Sequence, residues 1–308
     1  MPEFHHISVL HDECIDALRI RPDGVYVDAT LGGGGHAFSV AERLSGGGRL
    51  YGIDRDADAL AAAGARLAPF GERVRLIHAN FCELGEKIDE PIDGILFDLG
   101  VSSYQLDEAE RGFSYMADAP LDMRMDRSAA LTAYDVVNEY AVSDLARIIS
   151  EYGEERYAYP VANAIARARA EKPIESTLAL AAVVASAIPN AKKEKQHPAK
   201  RTFQAIRIEV NDELSAIAPA IDAAVGLLKP GGRIAVISFH SLEDRIVKQR
   251  FRALSQGCTC PPDFPVCVCG GKSKLKLIGK PVTASPQELL INPRARSAKL
   301  RIAERTEE

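Results

Sequence analysis

Glycines and acidic side chains recur where short apolar segments end in the first hundred residues. Four consecutive glycines at 32–35 follow the segment Val25–Asp28, and Asp54 ends the segment Arg49–Asp54. Because glycine has no Cβ, a glycine loop lets the backbone approach a ligand closely, and an acid after the second segment can accept hydrogen bonds from both hydroxyls of a ribose. A third segment is followed by Asn80-Phe81, whose ring could pack against a purine, and a fourth ends at Asp98. These residue types predict a site for a nucleoside-containing cofactor.

The glycine loop is compatible with two cofactor classes. Gly32, Gly34 and Ala37 satisfy the G-x-G-x-x-G/A pattern of dinucleotide sites, so a nicotinamide or flavin oxidoreductase stays open. The pyrophosphate of a dinucleotide binds at a helix N-terminus, whereas S-adenosylmethionine carries no phosphate and needs only close backbone. The chain also ends in two predicted strands rather than in a second mononucleotide-binding half; in this it resembles the class I methyltransferases, and the resemblance favours the methyl donor.

Strands and helices alternate around these residues. The alternation predicts a parallel sheet with right-handed crossovers, in which ligands bind beyond the carboxyl ends of the strands. The predicted elements are, in chain order, Val25–Asp28, 36–44, Arg49–Asp54, Ala57–Leu67, 74–77 and Ile92–Asp98. Asp54 could cap the helix over Ala57–Leu67 instead of binding a ligand, and Asp56 could also cap it.

The alternation stops after the fourth strand. Residues 104–201 carry no buried-strand pattern and predict helices over 143–152, 159–169 and 176–187. The alternation of strands and helices then resumes with a strand over 233–239 and a helix over 241–254, whose start at Ser241 resembles a capping box. The last predicted strands are 276–283 and 297–303. We therefore predict an α/β fold in which a discontinuous domain, 1–103 and 206–308, carries an all-helical insertion at 104–205.

Composition places the chain among globular proteins. Its 308 residues are 46% apolar and 26% charged, with 38 basic and 43 acidic side chains and a net charge of −5, which argues against disorder. The longest apolar stretch, 178–189, is shorter than the roughly 20 residues of a membrane span. The first residues lack the basic start and apolar segment of a signal peptide, so we expect a cytoplasmic protein without membrane association.

Basic residues are concentrated in three stretches, each of which could contact a polyanion or be ordinary solvated surface. The first is Lys192, Lys193, Lys195, Lys200, Arg201 and Arg207, the second is Lys272, Lys274, Lys276 and Lys280, and the third is Arg294, Arg296, Lys299 and Arg301.

Four of the six cysteines stand close together, at Cys258, Cys260, Cys267 and Cys269. Four thiolates could bind zinc tetrahedrally, but paired C-x-C is less diagnostic than paired C-x-x-C, and a reduced loop stiffened by prolines is the favoured interpretation. We predict no metal and leave the zinc alternative open.

Long polar strings give the chain a specific resemblance over nearly its whole length. They are 32–36 (GGGGH), 53–56 (IDRD), 98–107 (DLGVSSYQLD), 110–115 (ERGFSY), 121–126 (LDMRMD), 152–156 (YGEER), 197–207 (HPAKRTFQAIR), 238–247 (SFHSLEDRIV) and 292–301 (NPRARSAKLR). With these strings in this order, the chain resembles the MraW/RsmH family of S-adenosylmethionine-dependent ribosomal RNA methyltransferases.

The resemblance implies a class I, Rossmann-like methyltransferase sheet with an all-helical insertion after strand four. It implies methylation of the exocyclic N4 of a cytidine in the decoding region of small-subunit ribosomal RNA, with free RNA or the assembled subunit as substrate. The insertion would recognise the substrate. The sequence does not decide the oligomeric state, and a homodimer is one alternative. A non-catalytic assembly factor that binds the same RNA is the alternative of a different class.

The same resemblance places the S-adenosylmethionine contacts on Gly34, Gly35, His36, Asp54, Phe81, Asp98 and Gln105. Spacing alone would not select His36 or Gln105, since a lone histidine at a helix start is more often a cap.

The predicted catalytic residue is Asp98. Many amino-methyltransferases carry Asp, Asn or Ser followed by Pro-Pro-aromatic after strand four, and here the acid is present without the rest. We therefore expect Asp98 to lie between cofactor and target amine, while an aromatic group elsewhere stacks on the base. Candidates for that group are Phe113, Tyr115, Phe203 and Phe239. Met116, Met123 and Met125 belong either to a lid formed by 104–127 or to the core.

Overall fold

The computed structural model describes residues 8–189, 196–257, 260 and 271–307. The chain divides into two compact units. The sheet unit comprises residues 1–100 and 214–308, and the helical unit comprises residues 101–213.

The strands of the sheet unit form one seven-stranded sheet in the order β3-β2-β1-β4-β5-β7-β6. They are β1 (Val25–Asp28), β2 (Arg49–Asp54), β3 (Val74–His78), β4 (Ile92–Asp98), β5 (Leu228–Ser238), β6 (Leu275–Val282) and β7 (Lys299–Arg305). The first five strands pair in parallel, whereas β7 runs antiparallel to both β5 and β6. Strand order therefore reverses between β1 and β4, where an open sheet of this kind binds its ligands. The predicted α/β class and both C-terminal strands are confirmed.

Helices in the described residues alternate with the strands and then fill the helical unit. They are α1 (His11–Leu18), α2 (Gly35–Arg43), α3 (Ala57–Leu67), α4 (Leu84–Lys87), α5 (Ser103–Asp107), α6 (Ala133–Glu139), α7 (Val142–Glu151), α8 (Ala158–Glu171), α9 (Thr177–Ala187), α10 (Lys200–Asn211), α11 (Ile217–Leu227), α12 (Ser241–Ser255) and α13 (Pro286–Ile291). None of the helices in the described part of the chain combines the length and apolar character needed to cross a bilayer.

Alternate residues of the central strands contribute to two different cores of the sheet unit. Val25 and Val27 of β1 pack in a cluster with α11 and α12, while Tyr26 packs in a second cluster with α1 and α2. The side chains of a strand point to opposite faces in turn, so the all-apolar strands are buried on both sides. This double cover leaves the carboxyl ends of the strands as the polar edge of the unit.

The helical unit has a core of its own. Helices α6 to α10 surround a cluster that includes Ile148, Val161 and Leu180. Met123 and Met125 are buried in this cluster, whereas Met116 is 73% exposed, so two of the three methionines belong to the core. In the part of the helical unit that the structure describes, the one β-type pairing is the isolated bridge between Pro120 and Ser176.

Two local expectations differ from the structure. The division between units falls at 100/101 and 213/214, whereas we expected 103/104 and 205/206; helix α10 runs without interruption through residues 205 and 206. The N-cap of α12 is His240 rather than Ser241, because Glu243 accepts the backbone N–H of His240.

Candidate functional site

The glycine loop between β1 and α2 is closed on one side and open on the other. Gly34 has a left-handed conformation (φ 73°), and a Cβ there would lie 3.2 Å from Cβ of Ala63. A Cβ on Gly35 would lie 2.0 Å from Oγ of Ser8, whereas one on Gly33 would meet nothing within 4 Å. Gly34 and Gly35 are therefore required by close packing, while the exposed backbone of Gly33 is free to approach a ligand.

Asp54 ends β2 beside this loop and holds it in place. Its Oδ2 accepts the backbone N–H of Gly32 at 2.8 Å, and its Oδ1 accepts that of Asp56 at 2.9 Å. Asp56, not Asp54, caps α3 by accepting the N–H of Asp58. Each oxygen of Asp54 thus keeps a second lone pair that a ribose hydroxyl could use.

Phe81 follows β3 at the same edge of the sheet. It begins a short 3₁₀ turn whose cap, Asn80, exchanges hydrogen bonds with Glu83. The partly buried Phe81 ring packs edge-on against Phe97, with 5.9 Å between ring centroids. The cap and the aromatic contact hold the ring at the strand end, as a purine contact would require.

Asp98 ends β4, next to the point where strand order reverses. The hydroxyl of Thr30, two residues after β1, accepts its backbone N–H at 2.5 Å. Nδ1 of the buried His36 lies 3.8 Å from Oδ2 of Asp98, and Nε2 of His36 is 3.2 Å from the carbonyl oxygen of Val9. The other carboxylate oxygen, Oδ1, is buried and has no hydrogen-bond partner among the described residues. Since a buried polar atom without a partner is costly, Oδ1 is suited to accept a hydrogen bond from a ligand.

Carboxylates at three neighbouring strand ends create a negative potential at this edge. Burial, together with the nearby carboxylate of Asp54, raises the pKa of Asp28 to about 7. Burial also raises the pKa of Asp54, and burial with the carboxylates of Asp28 and Glu243 raises that of Asp98 well above its usual value. The raised values mean that these carboxylates lack a positive partner in the folded chain, so a bound cation would favour their ionised forms and be stabilised by them, whereas a phosphate would not. The site therefore fits a sulfonium cofactor better than a dinucleotide.

His240 and Glu243 follow β5 and were not identified from the sequence. Glu243 is 1% exposed, and its Oε2 accepts the backbone N–H groups of Phe239 and His240 at 2.7 and 3.3 Å. Its Oε1 lies 3.1 Å from Nε2 of His240. Both residues occur in the 238–247 string that supported the family resemblance, but neither stood out, because the same residues also form a helix start.

Gln105, the remaining predicted cofactor contact, belongs to the helical unit. It is buried on α5, where its Oε1 accepts the backbone N–H of Ser102 and its own N–H donates to Oγ of Ser102. These bonds form the capping box of α5. Its role toward the cofactor stays a prediction.

Three of the four candidate stacking rings also belong to the helical unit. Phe113 and Phe203 are buried in its core, so neither ring is available to a base in this conformation. Tyr115 is partly buried and stacks on His197 with 4.7 Å between ring centroids. Phe239, in the sheet unit, is partly buried beside Glu243.

Several basic residues of the three stretches form ion pairs. Arg207 makes two hydrogen bonds to the buried carboxylate of Glu213, at 2.8 and 2.9 Å, and is not a surface cation. Lys299 and Arg301 both pair with Asp244. Lys192, Lys193 and Lys195 lie outside the described residues, as do Cys258, Cys267 and Cys269 of the cysteine segment.

Known proteins match the chain over nearly its whole length. The MraW methylase family matches residues 3–306. The Ribosomal RNA small subunit methyltransferase H of Heliobacterium mobile is 55% identical over 310 residues, which cover 98% of this chain and 99% of that protein. The protein of the same name from Geobacter sp. (strain M21) is 56% identical over 311 residues, or 99% and 100% of the two chains. Among solved structures, an rRNA methylase from Streptococcus thermophilus aligns with 98% of each chain at 14% identity and a TM-score of 0.45.

Proposed function

This chain belongs to the MraW methylase family, and from that premise we propose that it methylates the exocyclic N4 of a cytidine in the decoding region of small-subunit ribosomal RNA. The cofactor is S-adenosylmethionine, which supplies an activated methyl group on a positively charged sulfur. The observation that best supports a target amine is the buried, unpartnered Oδ1 of Asp98 at the reversal of strand order.

The residues of the sheet unit fit this cofactor one by one. The open backbone of Gly33 and the tight packing of Gly34 and Gly35 leave room for close approach on one side of the loop only. Asp54 has lone pairs to spare for the ribose hydroxyls, and Phe81 could pack against the adenine. The carboxylates of Asp28 and Asp98 would stabilise the positive sulfur, which a redox dinucleotide does not carry.

Asp98 would orient the amine. The lone pair of a cytosine amine is delocalised into the ring, so the amine is a poor nucleophile until it turns toward the methyl group. A hydrogen bond from one N–H to Oδ1 of Asp98 would hold it in the attacking orientation. Positioning of this kind contributes on the order of 7–11 kcal/mol at best, and an acceptor aimed at the charge that develops on the amine adds to it.

The target base would have to leave its stack to reach such a site. We propose that the helical unit binds the RNA around that base, in the cytoplasm, where small subunits are assembled. Lys200 and the half-exposed Arg201 support this, because both are cations at the start of α10. Tyr115 supports it as well, since its ring and that of His197 offer an aromatic stack close to the basic start of α10.

The direct test is mass spectrometry of ribosomal RNA nucleosides from cells with and without this gene. We expect an N4-methylated cytidine in small-subunit RNA that disappears with the gene and returns with the wild-type copy. A nucleoside profile that is identical in both strains would contradict the proposal.

A second experiment separates the enzyme from a non-catalytic assembly factor. Purified protein is incubated with methyl-labelled S-adenosylmethionine and either free small-subunit RNA or small subunits from the deletion strain. Transfer of label to cytidine supports the enzyme and identifies which form is the substrate. Binding to both without transfer would support the assembly factor instead.

A further inference from the structure

His240 is a buried polar residue that the orientation of the amine by Asp98 does not use. One tenth of its side chain is exposed, and Nε2 of its ring lies 3.1 Å from Oε1 of Glu243. Nδ1 has no hydrogen-bond partner among the described residues. Buried polar groups are normally satisfied, and one that is not suggests a group supplied by a ligand. The neighbouring Glu243 carboxylate is fully buried and is held by two backbone N–H groups, so it is a rigid partner for the imidazole.

The two residues lie beside Asp98. Strands β4 and β5 are neighbours in the sheet, with Asp98 opposite Ile237, and the N–H of Leu99 donates to the carbonyl of Ile237. A Cβ on Gly100 would lie 3.7 Å both from Oε1 of Glu243 and from the Phe239 ring. His240 and Asp98 therefore bring two unpartnered atoms to the carboxyl ends of adjacent strands.

These two atoms match the two hydrogens of an amine. Oε1 of Glu243, 3.1 Å from Nε2 of His240, favours the imidazole tautomer that carries its hydrogen on Nε2. Nδ1 then has a free lone pair, as in other carboxylate–imidazole pairs in which the second nitrogen takes a proton. One N–H of the amine can donate to Oδ1 of Asp98 and the other to Nδ1 of His240.

We propose that His240 is the general base of the reaction and that Glu243 is its positioning residue; this rests on the proposed function. As the bond from N4 to the methyl carbon forms, the carbon–sulfur bond breaks and its electron pair stays on sulfur. Nδ1 of His240 takes one proton from N4, and the electron pair of that N–H bond stays on nitrogen. The amine therefore never holds a full positive charge inside the pocket.

The charges around His240 come from three elements. Glu243 lies on its own helix, α12, and Asp98 lies on β4. Asp244, the next residue of α12, is neutralised by Arg301 and Lys299 of β7. The Glu243 carboxylate, 3.1 Å from Nε2, is suited to stabilising the imidazole once the proton has been transferred to it.

The test is the pH dependence of single-turnover methyl transfer to RNA. We expect the wild-type rate to fall toward acid. His240→Gln should be slower by about 100-fold or more, the lower end of the usual contribution of a general base, and should lose this acid limb. Glu243→Gln should be slowed less and keep a limb at a displaced pH. Lys248→Gln, on the exposed face of the same helix, should match the wild type.

Affinity for S-adenosylhomocysteine, measured by calorimetry, should be unchanged in all of these variants, and His240→Asn replaces His240→Gln if the latter loses that affinity. A His240 variant that keeps a rate within about threefold of the wild type overturns the inference. So does a slow variant with an intact acid limb, because the limb would then belong to Asp98. If the wild-type protein itself transfers no methyl group to N4 of cytidine, it is the proposed function that fails.

Discussion

The four glycines at 32–35 have the same side chain but different tasks. Gly34 and Gly35 are required by contacts with Ala63 and Ser8, whereas Gly33 is open and has no need of a positive φ. An alanine at position 33 is therefore compatible with the fold. Its methyl group, however, would occupy the place where we expect the backbone of Gly33 to contact the cofactor. This separates the glycine needed for binding from those needed for packing.

We predict that Gly33→Ala weakens affinity for S-adenosylmethionine by tenfold or more and leaves the thermal midpoint nearly unchanged. Gly47→Ala is the matched control, because a Cβ there also meets nothing within 4 Å and its φ is not positive. Calorimetric titration and thermal unfolding of both variants are the measurements. Equal affinities for the two variants would mean that the open side of the loop does not face the cofactor.

We expect the buried carboxyl group of Asp98 to lower the free energy of unfolding at neutral pH, although the reaction needs it. Burial and the carboxylates of Asp28 and Glu243 raise its pKa well above the usual value, so the ionised form is disfavoured in the folded protein. The cost is present at neutral pH and disappears as the pH falls, because the carboxyl group is then protonated in both folded and unfolded states.

We therefore predict that Asp98→Leu, which removes the accepting oxygen together with the charge, abolishes methyl transfer while raising the thermal midpoint at neutral pH. The gain should shrink progressively in buffers of lower pH. Thermal unfolding across a pH series and a labelled-methyl assay check the two halves separately. Substantial turnover would remove Asp98 from the catalytic role, and a midpoint that is lower than the wild type at every pH would refute the stability argument.

The sequence predicted the cofactor-side residues better than their partners. Asp54 and Asp98 were found because they end strands whose apolar pattern is strong. The roles of Thr30 and His240 were not predicted, because each depends on which strand ends lie next to each other in the sheet. Thr30, for example, accepts the backbone N–H of Asp98, which is 68 positions away in the sequence. The sequence also left open whether Asp54 or Asp56 caps α3. The backbone geometry decides for Asp56, and two acids spaced two positions apart do not show this in the sequence.

At the scale of elements, α10 shows how a helix end can hide a charge. The helix ends at Asn211, Asp212 takes a left-handed conformation, and Glu213 turns back to pair with Arg207. The side chains of Arg207 and Glu213 are 16% and 6% exposed. The basic cluster seen in the sequence therefore overstated the positive charge at the surface. The sequence did not reveal that Glu213, six positions after Arg207, pairs with it.

We predict that Arg207→Met destabilises the protein by about 3–5 kcal/mol, because it leaves the buried carboxylate of Glu213 without a counter-ion. Combining it with Glu213→Leu should recover most of the loss, since neither charge is then buried. Denaturant unfolding of the two variants measures both effects. A double variant that is as unstable as the single one would show that packing, not charge, is the cause.

We expect helix α10 to contact RNA through its first residues. Lys200→Glu should weaken binding of small-subunit RNA and make its dependence on salt shallower by about one phosphate contact, with cofactor affinity unchanged. Lys172→Glu is the control, because Lys172 is an exposed cation of the same unit that already pairs with Glu175. Filter binding at several salt concentrations distinguishes them, and equal losses in both variants would point to net charge alone.

At the scale of the whole molecule, a chain of net charge −5 is proposed to bind a polyanion. Long-range repulsion is screened within about 8–10 Å at physiological salt, so binding depends on local cations rather than on the total. Composition alone could not have located those cations. The strand pattern predicted the sheet unit well, whereas the helical unit, which lacks a repeating strand signal, could be predicted only as helices without an arrangement.

The division into two domains is itself a prediction that unfolding can test. Each unit has its own apolar core, so we expect two cooperative transitions in urea. The chain contains no tryptophan, so Phe38→Trp in the sheet unit and Tyr157→Trp in the helical unit each provide a single reporter. Because a ligand stabilises only the state that binds it, S-adenosylhomocysteine should move the Phe38→Trp transition to higher urea by more than the Tyr157→Trp transition, whose unit contributes only the predicted contact of Gln105. Two reporters that follow one curve and move together would show that the chain unfolds as one cooperative domain.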